Sequence, residues 1–195
     1  MATTPVVNQP ETSERLITGE EFYAMGEEAT MGLELVAGRI VGKNMPTGHP
    51  HGVIEFNIGA ALRQYARDNK SGQVMVGEVG IFTRRQPDRV RGADVIYISK
   101  ERFAKRQSQS FLDVVPEIVV EVVSPNDTWR QFNQKLHEYF EIGVRNVWVV
   151  DPESKSVVVY RSFIDFQEFT EADGLTAADI LPGFSLPVHD IFEDL

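Results

Sequence analysis

Residues 117–123 read Glu-Ile-Val-Val-Glu-Val-Val, and Asn146–Val150 is a second short apolar run. Apolar runs without polar alternation suit strands that are buried on both faces. Between them stand Ser124-Pro125-Asn126-Asp127, a turn and helix start with Asn126 or Asp127 as the cap. An amphipathic stretch then continues to about Ile142, and Gly143 supplies a helix stop. A strand, a helix and a second strand in this order imply a right-handed parallel crossover. The expected class is therefore α/β or α+β, with a mixed β-sheet flanked by helices.

The surrounding sequence adds elements on both sides. Residues 1–17 are polar and are expected to form a flexible tail, leaving 18–195 as one domain. Thr18 and Glu21 have the spacing of a capping box, which predicts a short helix through Phe22 and Met25. Leu33–Val36 and Arg39–Val41 read as a hairpin turned at Ala37-Gly38. After a loop over 46–50, Pro50 suits the first turn of a helix. That helix carries Val53, Ile54, Ile58, Ala61, Leu62 and Tyr65 at helical spacing and ends near Asp68-Asn69. Gln73–Val76, Val79–Thr83 and Ala93–Ile98 read as strands, the first two split by Gly77-Glu78. A short helix is expected over Lys100–Arg106. Val157–Arg161 and Ile164–Thr170 are expected edge strands, and Ile191-Phe192 should dock back after an extended Leu181–Pro187.

Composition narrows the function. A chain of 195 residues can bury a core without disulfides or a structural metal. The absence of cysteine excludes thiol catalysis, iron–sulfur clusters and cysteine-type zinc sites, and fits a reducing cytoplasm, the expected location. No apolar run approaches the roughly 18 residues of a membrane span, and the N-terminus has no signal pattern. The net charge of −10 argues against a general nucleic-acid coat, but not against an enzyme with one local basic surface. Between residues 84 and 106 such a surface is possible. Eight basic residues (Arg84, Arg85, Arg89, Arg91, Lys100, Arg102, Lys105, Arg106) outnumber three acids there and are candidate phosphate contacts.

Three charges stand where burial is expected. Glu121 lies inside the apolar run, where a carboxylate must be paired, protonated or bound to metal. Asp94 opens the strand Asp94-Val95-Ile96-Tyr97-Ile98. Lys135 falls three residues after Phe132 and four before Tyr139, on the apolar face of its helix. Each has an ordinary reading: a strand end, a turn acid and a lysine whose head reaches water. Together they have a chemical one. Asp94 and Glu121, with the Val122 backbone carbonyl, can hold a hard divalent cation through oxygen. Lys135 can then orient the attacking water or balance transition-state charge.

Several blocks carry a resemblance. They are Glu34-Leu35-Val36-Ala37-Gly38, His51 opening a helix, Gly92-Ala93-Asp94-Val95, Pro116 through Pro125, Lys135-Leu136-His137-Glu138-Tyr139, and Gly143 through Pro152. In this order and spacing the chain resembles the Uma-two family, assigned to the restriction endonucleases within the PD-(D/E)XK nuclease superfamily. The resemblance runs from about Leu16 to the C-terminus. It implies a restriction-endonuclease-like core over 51–151, with an N-terminal helix–hairpin extension and C-terminal edge strands. It further implies an endonuclease acting on DNA with Mg²⁺ or Mn²⁺, with Asp94 and Glu121 as metal ligands and Lys135 as the catalytic lysine.

The sequence departs from the superfamily at Val123, where a lysine is usual, so Lys135 stands in from the next helix. Ala93 replaces the usual proline before the aspartate. Glu34, Glu78 and His51 are further candidates. Glu34 would be an added ligand or would position Lys135, Glu78 has the ordinary reading of a β-bulge acid, and His51 would touch a phosphate or titrate near neutrality. A homodimer is expected, because cutting both strands takes two sites. The alternative is a catalytically inactive, dimeric binding or scaffold module on the same fold.

Overall fold

The computed structural model describes residues 15–42, 48–124 and 128–195. The crossover forms as the apolar runs require. Strand β5 (Ile118–Val122) is buried throughout and pairs in parallel with β6 (Asn146–Asp151), from Ile118↔Asn146 to Val122↔Val150. Helix α5 (Trp129–Ile142) joins them and ends at Gly143, whose φ of 97° suits a residue without a Cβ. Its N-cap is Thr128, in a capping box with Gln131. This replaces the expected cap at Asn126 or Asp127, both of which lie outside the described residues. Thr128 has the hydroxyl and the partner three residues on.

The rest of the sheet is antiparallel. Its order is β2-β1-β4-β5-β6-β7-β8, with β3 paired to β4. Here β1 is Leu33–Val36, β2 Arg39–Gly42, β3 Gly72–Arg84, β4 Arg89–Ser99, β7 Ser156–Tyr160 and β8 Phe166–Thr170. The two short runs read around Gly77-Glu78 are one strand, β3, interrupted by a bulge: Val76 pairs with Val95, and the next pair is Val79↔Ala93. Helix α3 (His49–Asn69) covers one sheet face with Ile54, Ile58, Leu62 and Ala66, together with the C-terminal segment. Helix α5 covers the other with Leu136 and Tyr139. The expected core order over 51–151 is thus observed.

The flanks follow. Helices α1 (Gly19–Ala24) and α2 (Glu27–Thr30) precede the β1–β2 hairpin, and α1 has the Thr18–Glu21 capping box. Residues 15–17 run beside this hairpin, with the Ile17 N–H on the Gly38 carbonyl. Phe22, Leu35 and Val90 form a small core under the hairpin. Helix α4 is shorter than expected (Lys100–Phe103). Strands β9 (Gly174–Thr176) and β10 (Ser185–Pro187) pair, and α6 (Val188–Ile191) buries Val188 and Ile191, with Phe192 buried beside it. No helix among the described residues is long and apolar enough to cross a membrane.

One feature of the sheet creates room for a site. Strand β3 occupies one edge of β4, so β1 and β5 share the other. The β1 strand bridges it at Leu35↔Val90, and β5 begins at Val95↔Val120. Between these pairs the β4 edge is unzipped, and the backbone groups of Gly92 are left for side chains to satisfy.

Candidate active site

Side chains from four elements meet in this fork. Lys135 Nζ donates to the Gly92 carbonyl at 3.0 Å and to Glu121 Oε2 at 3.0 Å, and lies 3.2 Å from Glu34 Oε1. The Gly92 N–H donates to Glu34 Oε1 at 3.2 Å. Tyr139 Oη sits 2.6 Å from Glu121 Oε1, which it serves as donor, and 3.2 Å from the Gly92 carbonyl. The ammonium has three N–H donors, and three protein acceptors surround it. Carboxylates on both sides hold Lys135 charged, shifting its pKa well upward.

A second buried pairing fixes the first. Arg91 grips Glu138 bidentately, Nε to Oε2 at 2.6 Å and Nη2 to Oε1 at 2.9 Å, while its Nη1 reaches Glu34 Oε2 at 2.7 Å. Arg89 Nη1 adds a contact to Glu138 Oε1 at 2.7 Å. Burial alone would raise the Glu34 pKa, but Lys135 and Arg91 overcome it and hold the carboxyl below its usual range. Three cations (Arg89, Arg91, Lys135) thus face three carboxylates (Glu34, Glu121, Glu138). Each ion in this part is compensated, as buried charge must be.

The part toward α3 is unbalanced. Asp94 Oδ2 accepts the Val122 N–H at 2.6 Å and lies 3.4 Å from His51 Nε2. His51 Nδ1 is buried without a hydrogen-bond partner, 3.9 Å from Glu55 Oε2. Glu55 accepts the Gly77 N–H. Burial and then Asp94 push Glu55 and Glu78 above the ordinary carboxylate value of 4.5, and the Asp94 contact raises His51. Burial raises Glu121 too, against the pull of Lys135. This corner therefore gathers oxygen donors and negative charge with one imidazole to offset them.

Alternation along β5 supplies one more donor. The Val123 N–H bonds to Val150 on the β6 side, so the backbone groups of Val122 turn to the β4 side, where Asp94 lies. Among the described residues, no three Asp, Glu or His side chains gather closely enough to hold a metal ion unaided. A hard cation does not need three, since Mg²⁺ commonly takes one or two carboxylates and keeps several waters. The donor set fits such an ion.

All six side chains singled out as catalytic or supporting candidates (Asp94, Glu121, Lys135, Glu34, Glu78, His51) lie in or beside this fork. The eight basic residues do not form one surface. Arg89 and Arg91 are interior charge partners, not surface residues facing a backbone, with side chains only 17% and 8% exposed. Arg85 pairs with Glu20 and lies over the Phe82 ring, and Arg102 is engaged by Glu117 and the Val115 carbonyl. Lys105 pairs with Glu101, and Arg106 covers Phe103. Arg84 and Lys100 are exposed and make no ion pair among the described residues.

Three contributors escaped the sequence reading: Tyr139, Glu138 and Glu55. The first two follow Lys135 by four and three residues, and Glu55 follows His51 by four, so helical spacing alone was a signal for all three.

Comparison with known proteins agrees with this architecture. The profile of the family described as "Uma2: Putative restriction endonuclease" matches residues 19–189. Among solved structures, the chain is similar to "a putative nuclease belonging to DUF820 from Anabaena variabilis ATCC 29413". The TM-score is 0.73 and the identity 19%, over 90% of this chain and 97% of that one. None of the curated proteins matches the chain.

Proposed function

Because the chain belongs to the Uma2 family, we propose that it is a metal-dependent endonuclease hydrolysing DNA phosphodiester bonds. The carrying observation is Lys135 Nζ at 3.0 Å from Glu121 Oε2, a lysine and a carboxylate delivered to one point by α5 and β5. Asp94, Glu121 and the Val122 carbonyl would hold Mg²⁺ or Mn²⁺. When bound, such a cation lowers the pKa of a coordinated water and polarises a phosphoryl oxygen.

The protein's own groups do the rest. Lys135 is held protonated, so it acts as a fixed positive charge that orients the attacking water and balances charge on the phosphorane-like transition state. Glu34 confines the ammonium from the far side, and Tyr139 fixes the Glu121 carboxylate. Both act through another residue and are positioning residues. Arg84 and Lys100 are left as candidate backbone contacts. Cutting both strands of a duplex takes two such sites, so the proposal extends to a homodimer, which sedimentation would detect.

The test is cleavage of supercoiled plasmid and of single-stranded DNA with EDTA, Mg²⁺ or Mn²⁺, beside Lys135→Ala and Asp94→Ala. Metal-dependent nicking that both substitutions abolish is expected. Nicking that persists in EDTA, or in both variants, would overturn the assignment. The rival reading, a binding module on this fold, draws on the net charge of −10 and on Val123. It predicts that neither DNA is cut, even where Mn²⁺ binds.

A further inference from the structure

Every other carboxylate of the site has a hydrogen-bond or ion-pair partner. Glu78 has none among the described residues, although it is brought there by unusual means. At the β3 bulge, two residues (Gly77 and Glu78) stand opposite one residue of β4, Asp94. Gly77 has φ 87° and Glu78 φ 53°. The second value places a side-chain-bearing residue in the left-handed region, a strained conformation that surrounding structure must enforce. Glu78 is exposed as a residue, and its carboxylate lies over β4 at Gly92. A Cβ at Gly92 would overlap Glu78 Oε2, so the missing side chain at 92 is the seat of this carboxylate.

We propose that Glu78 is a positioning residue for the hydrated divalent cation, accepting hydrogen bonds from water on an ion held by Asp94 and Glu121. The inference rests on the cation-dependent reading above. Water mediation follows from the arrangement, since no three acidic or histidine side chains gather tightly enough among the described residues to form a closed cage. An ion that keeps its waters needs acceptors for their hydrogens. Glu78 is an acceptor with no protein donor among the described residues, opposite one of the two ligands. In the metal-free protein the same placement is a liability, because Glu78 and Asp94 repel each other.

This role has a signature that ordinary structural roles lack: the charge destabilises the metal-free fold and strengthens cation binding. The experiment is calorimetric titration of Mn²⁺ into the wild type, Glu78→Gln, Gly92→Ala and Asp94→Asn, with thermal unfolding of each in EDTA. Glu78→Gln should weaken Mn²⁺ by roughly 10-fold, the lower end for outer partners of a metal site, and raise the metal-free Tm. Gly92→Ala, which displaces the carboxylate without changing charge, should weaken Mn²⁺ similarly, and Asp94→Asn should weaken it more. Unchanged Mn²⁺ affinity in Glu78→Gln, with wild-type binding intact, would overturn the inference and leave the nuclease reading standing. A lowered metal-free Tm in Glu78→Gln would also overturn it, by making Glu78 a structural residue. Failure of the wild type to bind Mn²⁺ would overturn both.

Discussion

Glu138 shows how much of the site is built to hold charge in place. It receives Arg91 through two bonds, Arg89 through one, and also Gln134 and the Thr83 hydroxyl. Its own exposure is 4%. Removing one member of a buried ion group strands the others, at a cost of about 3–5 kcal/mol. Glu138→Ala should therefore lose about that much stability in urea unfolding, and Glu138→Gln less, because the amide oxygen still accepts. A loss under about 1 kcal/mol for the alanine variant would mean that water reaches the two guanidinium groups and the network is not truly buried. The residues of this network were unequally legible. Lys135 announced itself as a charge on an apolar helix face. Arg89 and Arg91 did not, because arginines in a segment of eight basic residues read as surface charge. Arg91 is interior because Glu138 of α5 and Glu34 of β1 close on it, a tertiary feature.

The elements were legible in proportion to how completely they are buried. The β5–α5–β6 crossover was readable because two-face burial removes polar alternation and leaves a run that can be little else. At Gly77-Glu78 the sequence shows a break between two strand runs and offers a β-bulge as the ordinary reading of Glu78, because two residues with positive φ interrupt the period that identifies a strand. That β1 and β5 share one edge of β4 was not readable at all, because β1 pairs with β4 at the single bridge Leu35↔Val90. That economy makes the hairpin a separable element. It carries Glu34 into the site but is anchored by Leu35, the Phe22 and Val90 cluster, and Gly19 and Gly38 N–H bonds to Asp88. Leu35→Ala should cost about 2–5 kcal/mol locally. Amide exchange in residues 33–42 should accelerate while β5 and β6 remain protected. Equal acceleration across β5 would show that the hairpin and the central sheet open as one unit. Thr128→Ala tests the other element-scale finding, with about 1 kcal/mol expected from the lost cap.

At the scale of the whole molecule, the uncompensated corner together with Glu121 should govern how stability depends on pH. Glu55, Glu78 and Glu121 bind protons more readily in the folded chain than at the ordinary carboxylate value of 4.5, and His51 more readily than at 6.5. The folded state thus holds more protons than the unfolded state above pH 4.5. Their contribution is complete below those ordinary values and is lost as pH rises through the elevated ones. Glu34 acts in the opposite sense: its contribution is present above 4.5 and lost only as pH falls below it, outside the neutral range. The metal-free protein should accordingly have a lower Tm at pH 8 than at pH 6. A divalent cation competes with those protons, so its stabilisation should be larger at pH 8. Saturating Mn²⁺ at a hundred times its Kd adds about 2.7 kcal/mol, which would flatten or reverse the slope. Thermal scans at both pH values, in EDTA and in Mn²⁺, measure this directly. A metal-free Tm that is level or rising from pH 6 to 8 would mean that the acidic corner is solvated enough to ionise freely. Water rather than a cation would then be offsetting its negative charge.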